Sequence, residues 1–180
     1  MKKRLIANRG EIAIRIARAA AELGRETVAV YPSDDENSLH VKKTDGQTQL
    51  PGTGVAAYLD SQAILDAAKS TLCDAIHPGY GFLSENVEFA KLCEQNGVVF
   101  IGPTPMQLSL FGDKSSARQL AVNSQVPVVP GTNEKTSLEQ ALDFYRSLQN
   151  STNSDNPSML IKAIAGGGGR GMRQVHSLDD

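Results

Sequence analysis

The residues best placed to do chemistry in this 180-residue chain form the run IKAIAGGGGRGMR, from Ile161 to Arg173. Gly166, Gly167, Gly168 and Gly169 are consecutive, with Lys162 before them and Arg170 after. A hairpin needs at most a few glycines for positive φ, and each further one costs backbone entropy. What a glycine run offers instead is main-chain N–H groups with no Cβ, able to approach a polyanion from several directions. Lys162 could reach the same anion as a point charge. These features point to a hairpin that covers phosphates. A flexible linker or a plain turn is the alternative reading of the same residues.

Other phosphate-loop patterns fit poorly. G-x-x-x-x-G-K-[ST] requires a lysine and a hydroxyl directly after the loop, and neither is there. A dinucleotide fingerprint G-x-G-x-x-G would follow the first strand, where the sequence reads ANRGE. The single Arg-Gly pair has no basic or aromatic surroundings of the kind that bind RNA. ANRGE itself looks like a nucleotide turn, with a structural helix start as the other reading. His77, before Pro78, has no paired acid and reads as a turn-stabilising residue; His40 and His176 carry no signal.

The elements that must position these residues can be traced along the chain. Arg4–Asn8, Thr27–Tyr31, a short run at Ala75–His77 and Val98–Ile101 read as strands. TVAVY shows no alternation, as expected for a strand covered on both faces. Helices are expected over Glu11–Leu23 (ended by Gly24), Glu36–Lys43, Ser61–Leu72 and Glu85–Gln95, the last stopped by Asn96-Gly97. Glu11, Arg15, Arg18 and Glu22 form one polar stripe, so the first helix is expected to be buried on most of its circumference. Strand and helix alternate closely, which predicts a parallel, helix-covered sheet over the first hundred or so residues.

The composition changes near Pro103–Gly112, where a domain boundary is expected. Two short helical pieces follow, with Lys114 of GDK at the start of the second. VPVVPG at Val126–Gly131 is extended, since prolines pin it. Ser137–Leu148 is helical, Asn150–Ser158 is a polar loop, and Met159–Ala163 pairs with Met172–Val175 as an antiparallel hairpin.

Bulk properties exclude several classes. The net charge of −2 is not that of a nucleic-acid binder. Apolar runs are too short to span a bilayer, and the basic start lacks the apolar segment of a secretory signal. Cys73 and Cys93 have no metal-ligand spacing and read as two reduced core thiols, which suits the cytoplasm.

Four segments, ANRGEIAIRIARAAAELG, AIHPGYGFLSEN, FIGPTP…GDK and IKAIAGGGGRGMR, occur in that order. Together they resemble the N-terminal part of the biotin carboxylase component of biotin-dependent carboxylases, the group of acetyl-CoA, propionyl-CoA and pyruvate carboxylases. The resemblance implies an α/β fold: a Rossmann-like pre-ATP-grasp domain over 1–110, then the truncated start of an ATP-grasp domain over 111–180. The implied chemistry converts ATP and bicarbonate to carboxyphosphate, with the carboxyl group passing to biotin on a carrier domain. Lys114 and Lys162 resemble the family's two ATP-contacting lysines. Gly166–Gly169 match the loop that closes over the triphosphate, Met172 lies near the adenine side, and Tyr80 and Gly81 fall near the biotin ring. Ile164 and Ala165 depart from the common pattern, which bears on loop packing alone.

The resemblance further implies a biotin carrier, a carboxyltransferase component and a homodimer through the helix bearing Arg15 and Arg18, against the plainer reading of that stripe as a solvated face. It implies a cytoplasmic protein, or one of the mitochondrial matrix in a eukaryote. No catalytic residue and no Mg²⁺ ligand is assigned within these residues. HSLDD at 176–180 reads as a helix opening that does not continue, so a truncated and inactive piece is expected. The rival readings are another ATP-grasp ligase, such as a carbamoyl-phosphate synthase relative, and a non-catalytic nucleotide-binding module.

Overall fold

A computed structural model of the protein describes residues 2–132, 135–152, 157–163 and 171–178. The chain divides into two compact units, Met1–Gly112 and Asp113–Asp180.

In the first unit five strands, β1 (Lys3–Ile6), β2 (Glu26–Tyr31), β3 (Gly46–Gln49), β4 (Ala75–His77) and β5 (Val99–Phe100), form one sheet in the order β3-β2-β1-β4-β5. Every neighbouring pair is parallel. Burial explains the sequence character: Leu5, Ile6 and Ala7 are fully buried, as are Val28, Ala29 and Val30. Because side chains alternate across a strand, Leu5 joins one core and Ile6 another. Helix α1 (Gly10–Glu22) covers the Ile6 side with Ala13, Ile16 and Ala17. Leu5, Val28, Val30 and Ile76 pack with Ile64 and Leu65 of α3 (Ser61–Ser70) and Phe89 and Cys93 of α4 (Val87–Gln95). Asp60 and Asn86 cap α3 and α4, accepting from the Ala63 and Phe89 amides at 2.9 Å each.

Three expectations for this unit need correction. Helix α1 is buried along one stripe only; Ala19 and Ala21 face solvent, because alanine suits either side of a helix. The segment 36–43 is not one helix. It is a chain of i→i−3 bonds around two 3-10 turns, Ser33–Asp35 and Val41–Lys43, arranged around the Asp35 carboxylate. That carboxylate accepts from Ser38 Oγ at 2.9 Å, Tyr58 Oη at 2.9 Å and Arg9 Nη1 at 3.0 Å. The sheet also gains polar edge strand β3, and α2 (Gly54–Tyr58) brings buried Tyr58, whose ring stacks on Phe82 at 5.3 Å. A final helix of this unit, α5, spans Pro105–Gly112.

The second unit holds α6 (Lys114–Asn123), α7 (Leu138–Thr152) and the hairpin β6 (Met159–Lys162)–β7 (Met172–Val175). The hairpin is antiparallel as expected, pairing Met159 with Val175 and Lys162 with Met172. Helix α7 runs past Asn150 into the segment expected to be a loop, where Ser151 and Thr152 hydroxyls bond back to Leu148 O. Val126–Gly131 has no regular structure and is held by Arg118, which donates to Val129 O at 2.7 Å and Gly131 O at 3.4 Å. Tyr145 is buried and donates to His176 O at 2.5 Å. Among the described residues no helix is long and apolar enough to cross a membrane.

Both thiols are free and buried. Burial pushes Cys93 up to about 11 and raises Cys73, so both stay protonated and unreactive near neutrality. His40 is 1% exposed; its Nε2 lies 3.3 Å from Val30 O, which can only accept, so Nδ1 is a buried lone pair with no hydrogen-bond partner among the described residues. Protonating it would bury an unpaired charge, and burial accordingly holds His40 below its ordinary 6.5. His77 is lowered too, by burial and then by Arg4. For both residues the unfolded chain takes up the proton first. Stability is therefore complete above about pH 6.5 and declines below it. Thermal melts of the chain should show Tm falling between pH 7 and pH 5, with a shallower fall in His40→Gln; a flat profile in the parent chain would contradict the burial argument.

Candidate functional site

Lys114 opens α6 because Asp113 ahead of it caps the helix, its carboxylate accepting from the Ser116 amide at 2.7 Å. From this position the Lys114 ammonium donates to Ala163 O at 3.3 Å. Ala163 directly follows Lys162, so helix start and hairpin meet where both lysines sit. The base of the loop is closed by Ala163 N donating to Gly171 O at 2.7 Å. Gly171 has φ +70°, and a Cβ there would lie 2.7 Å from the Ala163 Cβ, so only glycine closes this turn without displacement. Lys162 and Met172 are directly opposite in the hairpin register, and directly opposed residues share a face. Both are exposed. Gly166–Gly169, with Ile164 and Ala165, lie outside the described residues. The structure thus brings Lys114, Lys162 and Met172 to one end of one hairpin.

Tyr80 and Gly81 belong to the first unit, at the carboxyl end of β4. In the order β3-β2-β1-β4-β5 the connections run one way from β1 to β2 and β3 and the other way to β4 and β5. The switch point lies between β1 and β4, where open α/β sheets take their ligands. Three devices fix the turn there. His77 Nδ1 accepts from Gly79 N at 3.1 Å, the stabilising role expected of it. Asn8 Nδ2 donates to Pro78 O at 2.7 Å and Tyr80 O at 2.9 Å. Tyr80, 63% exposed, donates through its hydroxyl to Glu11 Oε2 at 3.3 Å.

The polar stripe of α1 faces solvent at Arg15 and Arg18, which border a shallow cavity of about 610 Å³ with Ser38, Leu39 and His40. Among the described residues no group of three or more His, Cys, Asp or Glu could hold a metal ion. Asn8 and Gly171 were not singled out from sequence: Asn8 was absorbed into a helix start, and Gly171 into the glycine-rich run.

Residues 1–108 match the family model for the biotin carboxylase N-terminal domain. The chain belongs to the biotin carboxylase family. Residues 113–180 match the model described as the carbamoyl-phosphate synthase L chain ATP-binding domain. Pyruvate carboxylase of Bacillus subtilis is 48% identical over 180 residues, 98% of this chain and 15% of that protein. The human mitochondrial pyruvate carboxylase is 47% identical over 184 residues, covering 100% of this chain and 15% of its own length. Among solved structures, the biotin carboxylase domain dimer of Hydrogenobacter thermophilus 2-oxoglutarate carboxylase, in complex with MgADP, ADP and bicarbonate, superimposes with a TM-score of 0.88. It is 41% identical, over 99% of this chain and 38% of that one. The chain spans about 15% of the length of the curated relatives it matches. The α/β fold with a five-stranded parallel sheet is that of biotin carboxylase domains.

Proposed function

We propose that these residues form part of an ATP-dependent biotin carboxylase, in which bicarbonate attacks the γ-phosphorus of ATP to give carboxyphosphate and ADP. The carboxyl group then passes to the ureido nitrogen of carrier-bound biotin, and phosphate leaves. One observation supports the placement of the nucleotide most directly: the Lys114 ammonium meets the hairpin at Ala163, beside Lys162. Two cations at a loop base, with an exposed thioether opposite Lys162, offer a phosphate tail and an aromatic base their respective partners. Phosphoryl transfer needs positioning and fixed positive charge more than covalent help from protein. Lys114 and Lys162 would hold the phosphates, with Gly166–Gly169 covering them and Met172 on the adenine side. Mg²⁺, when bound, would neutralise charge between phosphate oxygens; its ligands are assigned to other parts of the enzyme.

Biotin is placed at Tyr80 and Gly81. Its partners would be a carrier domain that holds the biotin and a carboxyltransferase component that takes the carboxyl group from it, in the cytoplasm or, in a eukaryote, the mitochondrial matrix. The 180-residue chain alone is expected to show no biotin-dependent phosphate release. The ATP-binding model's description keeps a carbamoyl-phosphate synthase relative as the second reading, but the match of residues 1–108 favours the carboxylase.

In the carboxylase that carries these residues, Lys114→Gln and Lys162→Gln should each raise the KM for ATP about tenfold or more, the scale of a lost charged hydrogen bond, with the KM for biotin unmoved. Unchanged ATP KM values would overturn the placement. A homodimer through Arg15 and Arg18 is proposed on their exposure along one helix face. Arg15→Glu/Arg18→Glu should shift the sedimentation of the carboxylase toward monomer, and an unaltered dimer would exclude this face.

A further inference from the structure

Asn8 follows β1, is 3% exposed, and uses every polar atom of its side chain. Its Oδ1 accepts from Arg9 N at 2.9 Å, while Nδ2 donates to Pro78 O at 2.7 Å and Tyr80 O at 2.9 Å. An asparagine just ahead of a helix ordinarily serves as its cap. Here the cap position belongs to Arg9, and no side chain caps α1. The Asn8 amide is turned instead across the switch point to the turn after β4.

That turn is shaped to receive it. Gly79 has φ +69°, and a Cβ there would lie 2.8 Å from Asn8 Nδ2 and 3.2 Å from Ile12 Cγ1. Gly81 also has positive φ, at +67°. Tyr80 between them is gripped at both ends: its carbonyl by Asn8, and its phenol by Glu11 at 3.3 Å. A buried donor serving two carbonyls of one turn, from buried Pro78 to exposed Tyr80, adds little apolar contact. Its effect is to fix where the Tyr80 ring and the Gly81 main chain stand.

We propose that Asn8 is a positioning residue for biotin: its amide nitrogen sets the Gly79–Tyr80–Gly81 turn against which the ureido ring is presented. This rests on the placement of biotin at Tyr80 and Gly81 proposed above. The donor, not the size, of the side chain is what counts. Asn8→Asp keeps the shape but points a carboxylate oxygen at two carbonyl oxygens, so the turn must move. Gly79→Ala keeps the Asn8 amide but crowds it from the turn, with a Cβ 2.8 Å from Nδ2.

The test is steady-state kinetics of the full-length carboxylase with free biotin and ATP varied separately, beside thermal melts, for Asn8→Asp, Gly79→Ala and Tyr80→Ala. Asn8→Asp and Gly79→Ala should each raise the KM for biotin about tenfold, as expected for a small displacement of a positioning group, and leave the KM for ATP unchanged. A merely structural role would lower Tm and the yield of active enzyme without selecting the biotin KM. If Tyr80→Ala raises the biotin KM while Asn8→Asp, or Gly79→Ala where Asn8→Asp does not fold, leaves it unchanged, the positioning role is wrong. If all three leave it unchanged, the placement of biotin is wrong, and the positioning role falls with it.

Discussion

The side-chain amide of Asn8 ties the end of β1 to the turn after β4, at the place where a five-stranded parallel sheet opens to a ligand. Both faces of this sheet are covered by helices, so polar chemistry is confined to the carboxyl edge, where the connections reverse between β1 and β4. In a nucleotide-binding sheet that edge offers free amides at a helix start. Here the Arg9 amide is taken by Asn8 Oδ1, and the Arg9 guanidinium by Asp35 at 3.0 Å. Burial pushes the Asp35 carboxyl up, but hydrogen bonds from Arg9, Ser38 and Tyr58 outweigh it and hold the group ionised. Two groups that could have met a polyanion there, the Arg9 amide and guanidinium, are already matched within the protein.

The same economy of reactive groups runs through the first unit. Cys73, Cys93 and Tyr58 are pushed up by burial, and His40 and His77 are pushed down, so each is neutral near pH 7. Beside this edge Arg9 is paired with Asp35, while Arg15 and Arg18 of α1 are exposed. In the second unit Lys114 and Lys162 are exposed at the hairpin. Two unit charges about 4 Å apart in water attract by only about 1 kcal/mol. Cations of this kind act strongly once other donors exclude water from the anion, which is the part assigned to the glycine run.

Much of the fold could be read from residues alone because parallel strands buried on both faces leave uninterrupted apolar runs, as TVAVY does at β2. Glycines with positive φ after α1 and α4, at Gly24 and Gly97, made those helix ends legible. Strand β3 was not legible, since GQTQ sits at an edge with alternating half-exposed residues and no apolar signal. The segment 36–43 was misread because its organiser is a carboxylate bound to Tyr58, 23 residues further on. Lys114 and Lys162 could be paired only through the family resemblance, because 49 residues separate Lys114 from its carbonyl partner at Ala163. The clamp on the turn at Gly79–Gly81 was invisible for the same reason: Asn8 and Pro78 are 70 residues apart, and nothing local marks a side chain that reaches so far.

Where the nucleotide goes is the claim on which the account stands, and amide chemical-shift mapping of this chain with millimolar ATP addresses it most directly. Perturbations concentrated at Lys114, Lys162, Ala163 and Met172, with Asn8–Glu11 and Ser38–His40 silent, are the predicted result. Shifts gathered at Arg9, Gly10 and Glu11 instead would show that the sheet edge takes the phosphates after all, and would contradict it.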